Sequence, residues 1–158
     1  MGKIDLTQVP IKSGTIYPPP YDAEVKGRSS LRLGDAGGLT QFGVNVVILA
    51  PGAKSSLRHW HLHEEEFVMI IQGSCTMVQD AGPTIMQTGD CAAFLAGDPD
   101  GHQFINHTDT EARFLVVGTK AKTETASYSD VDLQVHQSGG VNRFTYKDGT
   151  DWKGPRCA

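Results

Sequence analysis

The chain has 158 residues, a formal net charge of −4 and 39% hydrophobic residues. That length suits one domain with one core, and the acidic balance excludes a general binder of nucleic acid or of an anionic membrane, which needs a basic face. Eighteen glycines and eight prolines point to an all-β chain with frequent turns rather than a helical bundle.

The longest apolar runs, VVILA (Val46 to Ala50) and FVMII (Phe67 to Ile71), are strand-sized. They fall far short of the roughly 18 residues a membrane helix needs. The start, MGKIDLTQVPIKSG, lacks the charged-then-apolar pattern of a secretory signal, so the expected location is the cytoplasm. Cys75, Cys91 and Cys157 form no CxxC pair and leave an odd one over, which predicts free thiols rather than a disulfide framework. Cys75 and Cys91 lie in apolar strand contexts and read as small core residues.

Residues 1–28 read as an N-terminal arm. The segment YPPPYDAEVKG forbids regular helix and favours extended polyproline geometry. From Ser29, short segments rich in Val, Ile, Phe and Thr recur between glycine and proline signals: SSLRL, GVNVVILA, EFVMIIQ, SCTMVQ, TIMQT, CAAFLA, HQFIN and ARFLVVGT. Each is strand-length. Gly73 suits a tight hairpin, and DAGP (Asp80 to Pro83) a second turn. Such a series predicts a closed sandwich or jelly-roll barrel over residues 29–119. Residues 120–158 begin with the polar KAKTETASYSD and read as a C-terminal extension packing on the barrel or on a partner. Its end offers one more strand and an aromatic anchor at Trp152.

The densest chemistry lies in RHWHLHEEEF, from Arg58 to Phe67. In an extended chain side chains alternate between faces, so His59, His61 and His63 share one face and Arg58, Trp60 and Leu62 the other. Along EFVMIIQ, Glu66 shares a face with Val68 and Ile70. A lone carboxylate opening an apolar face is costly unless a cation offsets it. Farther on, His102 opens HQFIN and shares a face with Phe104 and Asn106.

The stretch PGAKSSLRHWHLHEEEFVMIIQG resembles the first conserved motif of the cupin superfamily: a glycine, then HxH, then a glutamate, then a glycine. His59 and His61 supply HxH, Glu66 follows, and Gly73 closes the motif; the spacing from Gly52 to His59 is one residue longer than usual. The second motif is matched by GDCAAFLAGDPDGHQFIN, ending in His102 and Asn106. It departs at Leu95, where a proline is usual, and in extra residues between Gly97 and His102. The resemblance spans Val44 to Thr119 and implies a cupin jelly-roll barrel. It implies one divalent transition metal ion held by His59, His61, Glu66 and His102. Glu65 also meets one allowed gap after His61, but the spacing to Gly73 favours Glu66. The resemblance further implies a homodimer formed through exposed barrel edges and the arm.

Three imidazoles and a carboxylate suit Fe, Mn, Ni, Co or Zn. Val68, Ile70, Met77, Phe94 and Phe104 are candidates for an apolar pocket wall around a small molecule. Two readings follow. One is a metal-dependent enzyme on a small organic substrate, an oxygenase (an oxidoreductase) or an isomerase or lyase, with His63 as the candidate acid/base and Tyr128 a weaker one. The other is a non-catalytic module binding a small molecule or sugar. Glu64 and Glu65 read as solvated turn charges, Arg58 and Trp60 as packing residues, and His107 and His136 carry no metal role.

Overall fold

Residues 2–155 are described in a computed structural model, and Cys157 lies outside them. Among the described residues thirteen strands run in chain order: β1 (Ile11–Ser13), β2 (Arg28–Arg32), β3 (Phe42–Leu49), β4 (His59–His61), β5 (Glu66–Gln72), β6 (Ser74–Gln79), β7 (Gly82–Gln87), β8 (Cys91–Phe94), β9 (Gln103–Ile105), β10 (Ala112–Thr119), β11 (Thr123–Tyr128), β12 (Leu133–Ser138) and β13 (Val141–Thr145). One four-residue helix, α1 (Leu33–Ala36), and two short 3-10 turns complete the elements. All eight expected strand segments carry a strand.

The strands form a six-stranded sheet in the order β1-β2-β3-β10-β5-β8, a four-stranded sheet β13-β12-β11-β4 and a three-stranded sheet β7-β6-β9. Every pairing is antiparallel. The bridge His59↔His102 ties β4 to the residue before β9, and Lys54↔Ile105 adds a second tie. These links join the smaller sheets across from the large one, giving a jelly-roll barrel.

The long strands β3 and β10 pair along their whole length, from Ala112↔Leu49 to Thr119↔Phe42. Their inner residues Leu49, Val47 and Phe114 join Val68, Ile70, Cys75, Met86 and Phe104 in one core. Each fully buried large apolar side chain there stabilises the fold by roughly 1.5–3 kcal/mol relative to exposure. The core fills one end of the barrel. Toward the other end the inner faces turn polar, at Asn45 and Gly43 on β3 and at Glu66 on β5, and the interior opens. No helix among the described residues is long and apolar enough to cross a membrane.

Three expectations change. The prolines do not extend as polyproline: Pro20 has φ −87 and ψ 0, and Tyr21 N donates to Pro18 O at 3.0 Å. The bend lets Tyr17 stack edge-on against Tyr128, ring centres 5.3 Å apart, while Tyr21 meets Trp152 at 5.6 Å. Residues after Thr119 supply three strands rather than one, because β11 pairs with β4 in the register Ala126↔His61 and Tyr128↔His59. Finally, Cys75 is buried as expected, but Cys91 is exposed, since its strand β8 is an outer strand of the large sheet.

Candidate metal centre

Strand β4 holds His59 and His61 side by side, their ring centres 5.0 Å apart, because residues two apart on a strand face the same way. From β5, across the barrel, Glu66 projects inward. Its strand partner on β10 is Gly118. A Cβ there would stand 3.3 Å from Glu65 O and 3.5 Å from Glu66 Cγ, so glycine leaves room for the carboxylate. His102 arrives through its backbone bridge to His59, with His59 N donating to His102 O at 3.1 Å and His102 N to His59 O at 2.9 Å.

The four side chains converge. Ligand atoms of His59, His61 and Glu66 lie within 4.8 Å of one another. Glu66 Oε2 sits 2.9 Å from His102 Nε2 and 3.7 Å from His61 Nε2. Glu65 points elsewhere: it is exposed, and its backbone N donates to Thr119 Oγ1 at 2.9 Å. Of the two candidate carboxylates, Glu66 is the one brought to the histidines.

His59 Nδ1 lies 2.9 Å from Leu57 O. A carbonyl only accepts, so Nδ1 carries the hydrogen and Nε2 keeps its lone pair, the arrangement that orients metal-ligating histidines. Burial, then the neighbouring His102 and His61 rings, push the His59 pKa down to about 3, so the ring is neutral at ordinary pH. Burial pushes the Glu66 carboxyl up, but the His102 hydrogen bond and the electrostatic pull of the surrounding imidazoles outweigh it and bring the pKa down to about 2. Neutral imidazole and ionised carboxylate are the forms that bind a divalent cation. The donor set therefore fits a metal ion, a His/Glu cluster able to hold one.

Around this centre stand residues the sequence reading placed elsewhere. Glu124, in the polar stretch after Thr119, is buried at 3% exposure. Its carboxylate accepts from Leu62 N at 2.8 Å, His63 N at 3.0 Å and Thr125 N at 2.8 Å. It also lies 3.9 Å from His61 Nδ1. The signal was present: in TETASY, Glu124, Ala126 and Tyr128 alternate as Glu66, Val68 and Ile70 do. Glu64 is not a solvated turn charge. It is half-buried, and its Oε1 accepts from Ala121 N at 2.8 Å. Desolvation raises its pKa, and an oxygen of Glu64 lies within 4.8 Å of ligand atoms of His61 and Glu124.

His63 does not join the site. Strand β4 ends at His61, the chain bends around Glu124, and the His63 side chain is left 52% exposed with Nδ1 3.9 Å from Glu124 Oε2. Tyr128 is at the site, 6.1 Å from the His59 ring, and burial raises its pKa further above neutrality. Arg58 is structural: its guanidinium bridges Asp130, with Nη2 at 2.7 Å, and Asp80. His136 is also structural, spanning Thr125 Oγ1 and Thr145 Oγ1 at 3.0 Å each.

The centre lines a cavity of about 750 Å³ bounded by the large sheet, β4, β11 and the N-terminal residues around Tyr17. Of the expected wall residues, Val68 and Phe104 line it. Phe94 stacks on His102 with ring centres 3.5 Å apart, while Ile70 and Met77 belong to the core cluster. A smaller cavity of about 150 Å³, lined by Trp60, Glu64, Phe94, Asp98 and Asp100, reaches His61, Glu66 and His102 from the other side.

Comparison with known proteins agrees with this geometry. The family described as Cupin domain matches residues 45–118. A crystal structure of a sugar phosphate isomerase from a cupin superfamily, from Silicibacter pomeroyi, is 56% identical, covers 96% of this chain and 97% of its own, and has a TM-score of 0.94. A structure from Acidithiobacillus ferrooxidans is 23% identical, with 80% of this chain and 81% of the other covered and a TM-score of 0.73. A polyketide cyclase from Streptomyces resistomycificus is 22% identical, with 75% and 79% covered and a TM-score of 0.60. The last two share the fold. No curated protein matches the chain. Motifs, barrel and the full-length relative together show that the chain belongs to the cupin superfamily.

Proposed function

We propose that this chain is a metal-dependent isomerase of a small hydroxy-carbonyl substrate, of the sugar phosphate class named for its 56% identical relative. The observation that carries the reading is the convergence of His59, His61, Glu66 and His102 on one side of a cavity large enough for such a molecule. A divalent ion bound there would polarise the substrate's carbonyl and hydroxyl oxygens as a Lewis acid.

Glu64 supplies the acid–base chemistry. Isomerisation of a hydroxy-carbonyl compound removes a proton from one carbon and returns it to the next. The Glu64 carboxyl lines both cavities, and burial raises its proton affinity, the direction that favours a carboxylate base. One of its oxygens is held by Ala121 N, which leaves the other to face the substrate. Tyr128, kept protonated by burial, donates to a substrate oxygen without competing for the proton. The apolar surface of Val68 and Phe104 limits water around the reacting carbons.

The test loads metal-free protein with Mn, Fe, Co, Ni or Zn in turn. Each preparation is incubated with aldose and ketose phosphates in D₂O, followed by NMR. Isomer exchange with solvent deuterium entering the carbon next to the carbonyl supports the reading. Glu64→Gln should keep the metal and lose roughly 10²–10⁴-fold in turnover, whereas His61→Ala should lose both. Turnover unchanged in Glu64→Gln would remove Glu64 from the chemistry. Oxygen consumption without isomer exchange would favour oxygenase chemistry.

A further inference from the structure

The cavity wall opposite β4 carries an arginine that the metal centre does not use. Along β2, Arg28, Ser30 and Arg32 share the inward face and all line the cavity that holds His59 and Glu66. Ser30 is buried at 8% exposure. The Arg28 Nε is buried without a hydrogen-bond partner among the described residues. A guanidinium offers a planar fork of donors suited to oxyanions, and leaving one of those donors buried and unmade costs free energy. Natural cores seldom keep such a group, so an orphaned arginine nitrogen on a cavity wall marks a place for an acceptor.

The charges around it say which acceptor. The cavity lining holds Lys12, Arg28, Arg32 and Lys120 against Asp35, Glu64 and Glu66. Lys120 is taken by Asp35 at 3.2 Å, and Glu66 is taken by the histidines. Lys12, Arg28 and Arg32 are left facing the space with Glu64 as the one remaining carboxylate. An excess of positive charge in a concave site favours a dianion over a singly charged group. Tyr17 also lines the cavity, its ring held edge-on against Tyr128 of β11.

We propose that Arg28, with Ser30 beside it on β2 and Lys12 and Arg32 at the more exposed rim, forms a phosphate subsite that anchors the phosphate monoester of the substrate while its carbonyl end reaches the His59, His61, Glu66 and His102 centre. This rests on the isomerase reading for its link to turnover, but the subsite itself is testable without metal or activity. Anchoring a remote, unreacting group is how binding energy positions a small substrate for chemistry.

The experiment titrates inorganic phosphate into metal-free protein at pH 8, by calorimetry and by the shift of the arginine Nε–H resonances. The Arg28 resonance is identified by its loss in Arg28→Lys. Saturable binding is expected, with the Arg28 Nε–H signal moving as phosphate is added. Affinity should fall at least tenfold in Arg28→Gln and less in Arg28→Lys. It should stay within twofold in Cys91→Ser, on the outer strand β8 away from the cavity. The resonance shift is read on the wild-type chain, so it decides the matter even if Arg28→Gln fails to fold. No saturable phosphate binding, or binding that leaves the Arg28 signal unmoved, overturns the proposal. So does acetate binding as tightly as phosphate, which would make the subsite a carboxylate site. If phosphate binds through Arg28 and no isomer exchange is found, the isomerase reading fails and the subsite stands.

Discussion

Glu124 Oε1 lies 3.9 Å from His61 Nδ1 while the same carboxylate accepts backbone amides from Leu62, His63 and Thr125. One buried side chain from β11 thus holds the bend that ends β4 and lies beside a histidine of the candidate metal centre. Mutating the groups around a metal ligand typically costs about 10–100-fold in metal affinity.

Glu124→Gln should therefore lower metal affinity by about 10–100-fold. The amide keeps one acceptor oxygen for the amides but loses the charge. Glu124→Ala, which leaves buried amide donors unpaired, should also destabilise the chain by roughly 1–3 kcal/mol. Metal titration followed by calorimetry, beside thermal unfolding, separates the two effects. A Glu124→Gln variant with wild-type metal affinity would show that Glu124 serves the bend alone.

Gly101 precedes His102 where the chain passes β4 at close range. A Cβ there would fall 2.1 Å from Ser129 Oγ and 3.2 Å from the backbone N and C of His59. Gly101→Ala should push the His59–His102 bridge apart, cost about 1–3 kcal/mol as overpacking does, and reduce metal occupancy. Gly101→Ala/Ser129→Ala, which removes the nearest obstruction, should recover part of both losses. Unfolding midpoints and metal content of the two variants make the comparison.

Acid should weaken the metal-free protein by a route its histidine cluster dictates. The His59 pKa is held down to about 3 by burial first, against 6.5 in an unfolded chain. Below 6.5 the unfolded state takes a proton that the native state refuses, so this contribution to stability is complete above that pH and shrinks as pH falls toward 3. The slope is about 1.4 kcal/mol per pH unit. Glu66, held near 2 against 4.5, adds a second loss between those values in the same direction. Denaturant unfolding of the metal-free chain from pH 8 to pH 4 should show stability falling below pH 6.5. In His59→Gln the decline near pH 6 should flatten.

The cysteines should react unequally. Burial pushes the Cys75 thiol up to about 11 and leaves it 2% exposed, whereas Cys91 is exposed on β8. Thiolate and access together set reactivity. Brief iodoacetamide treatment of the native protein at pH 8, mapped by mass spectrometry, should modify Cys91 and leave Cys75 intact until denaturant is added. Equal labelling would contradict the packing of β6.

Much of the barrel was legible along the chain. Alternating segments such as EFVMIIQ and ARFLVVGT carry their inner and outer faces in their order, because the strand period is two. The histidine pair at His59 and His61 was legible for the same reason. Where the period fails, so did the reading. His63 continues the alternation on paper but follows a bend that begins at Leu62, held by a carboxylate more than sixty residues away. Glu64 looked solvated because nothing local reveals that Ala121 N closes over it.

The sequence by itself determined the strand segments, the identity of the donor types and the motif spacing, all set by local periodicity and turn chemistry. Motif spacing favoured Glu66 over Glu65, but tertiary structure alone decided that Glu124 comes within 3.9 Å of His61 from β11 and that Arg28 faces the same cavity as Glu66. Those relationships depend on strand register and on the closure of the sheets. Both are fixed by pairing between distant segments and burial of a shared core, which no single stretch of chain encodes.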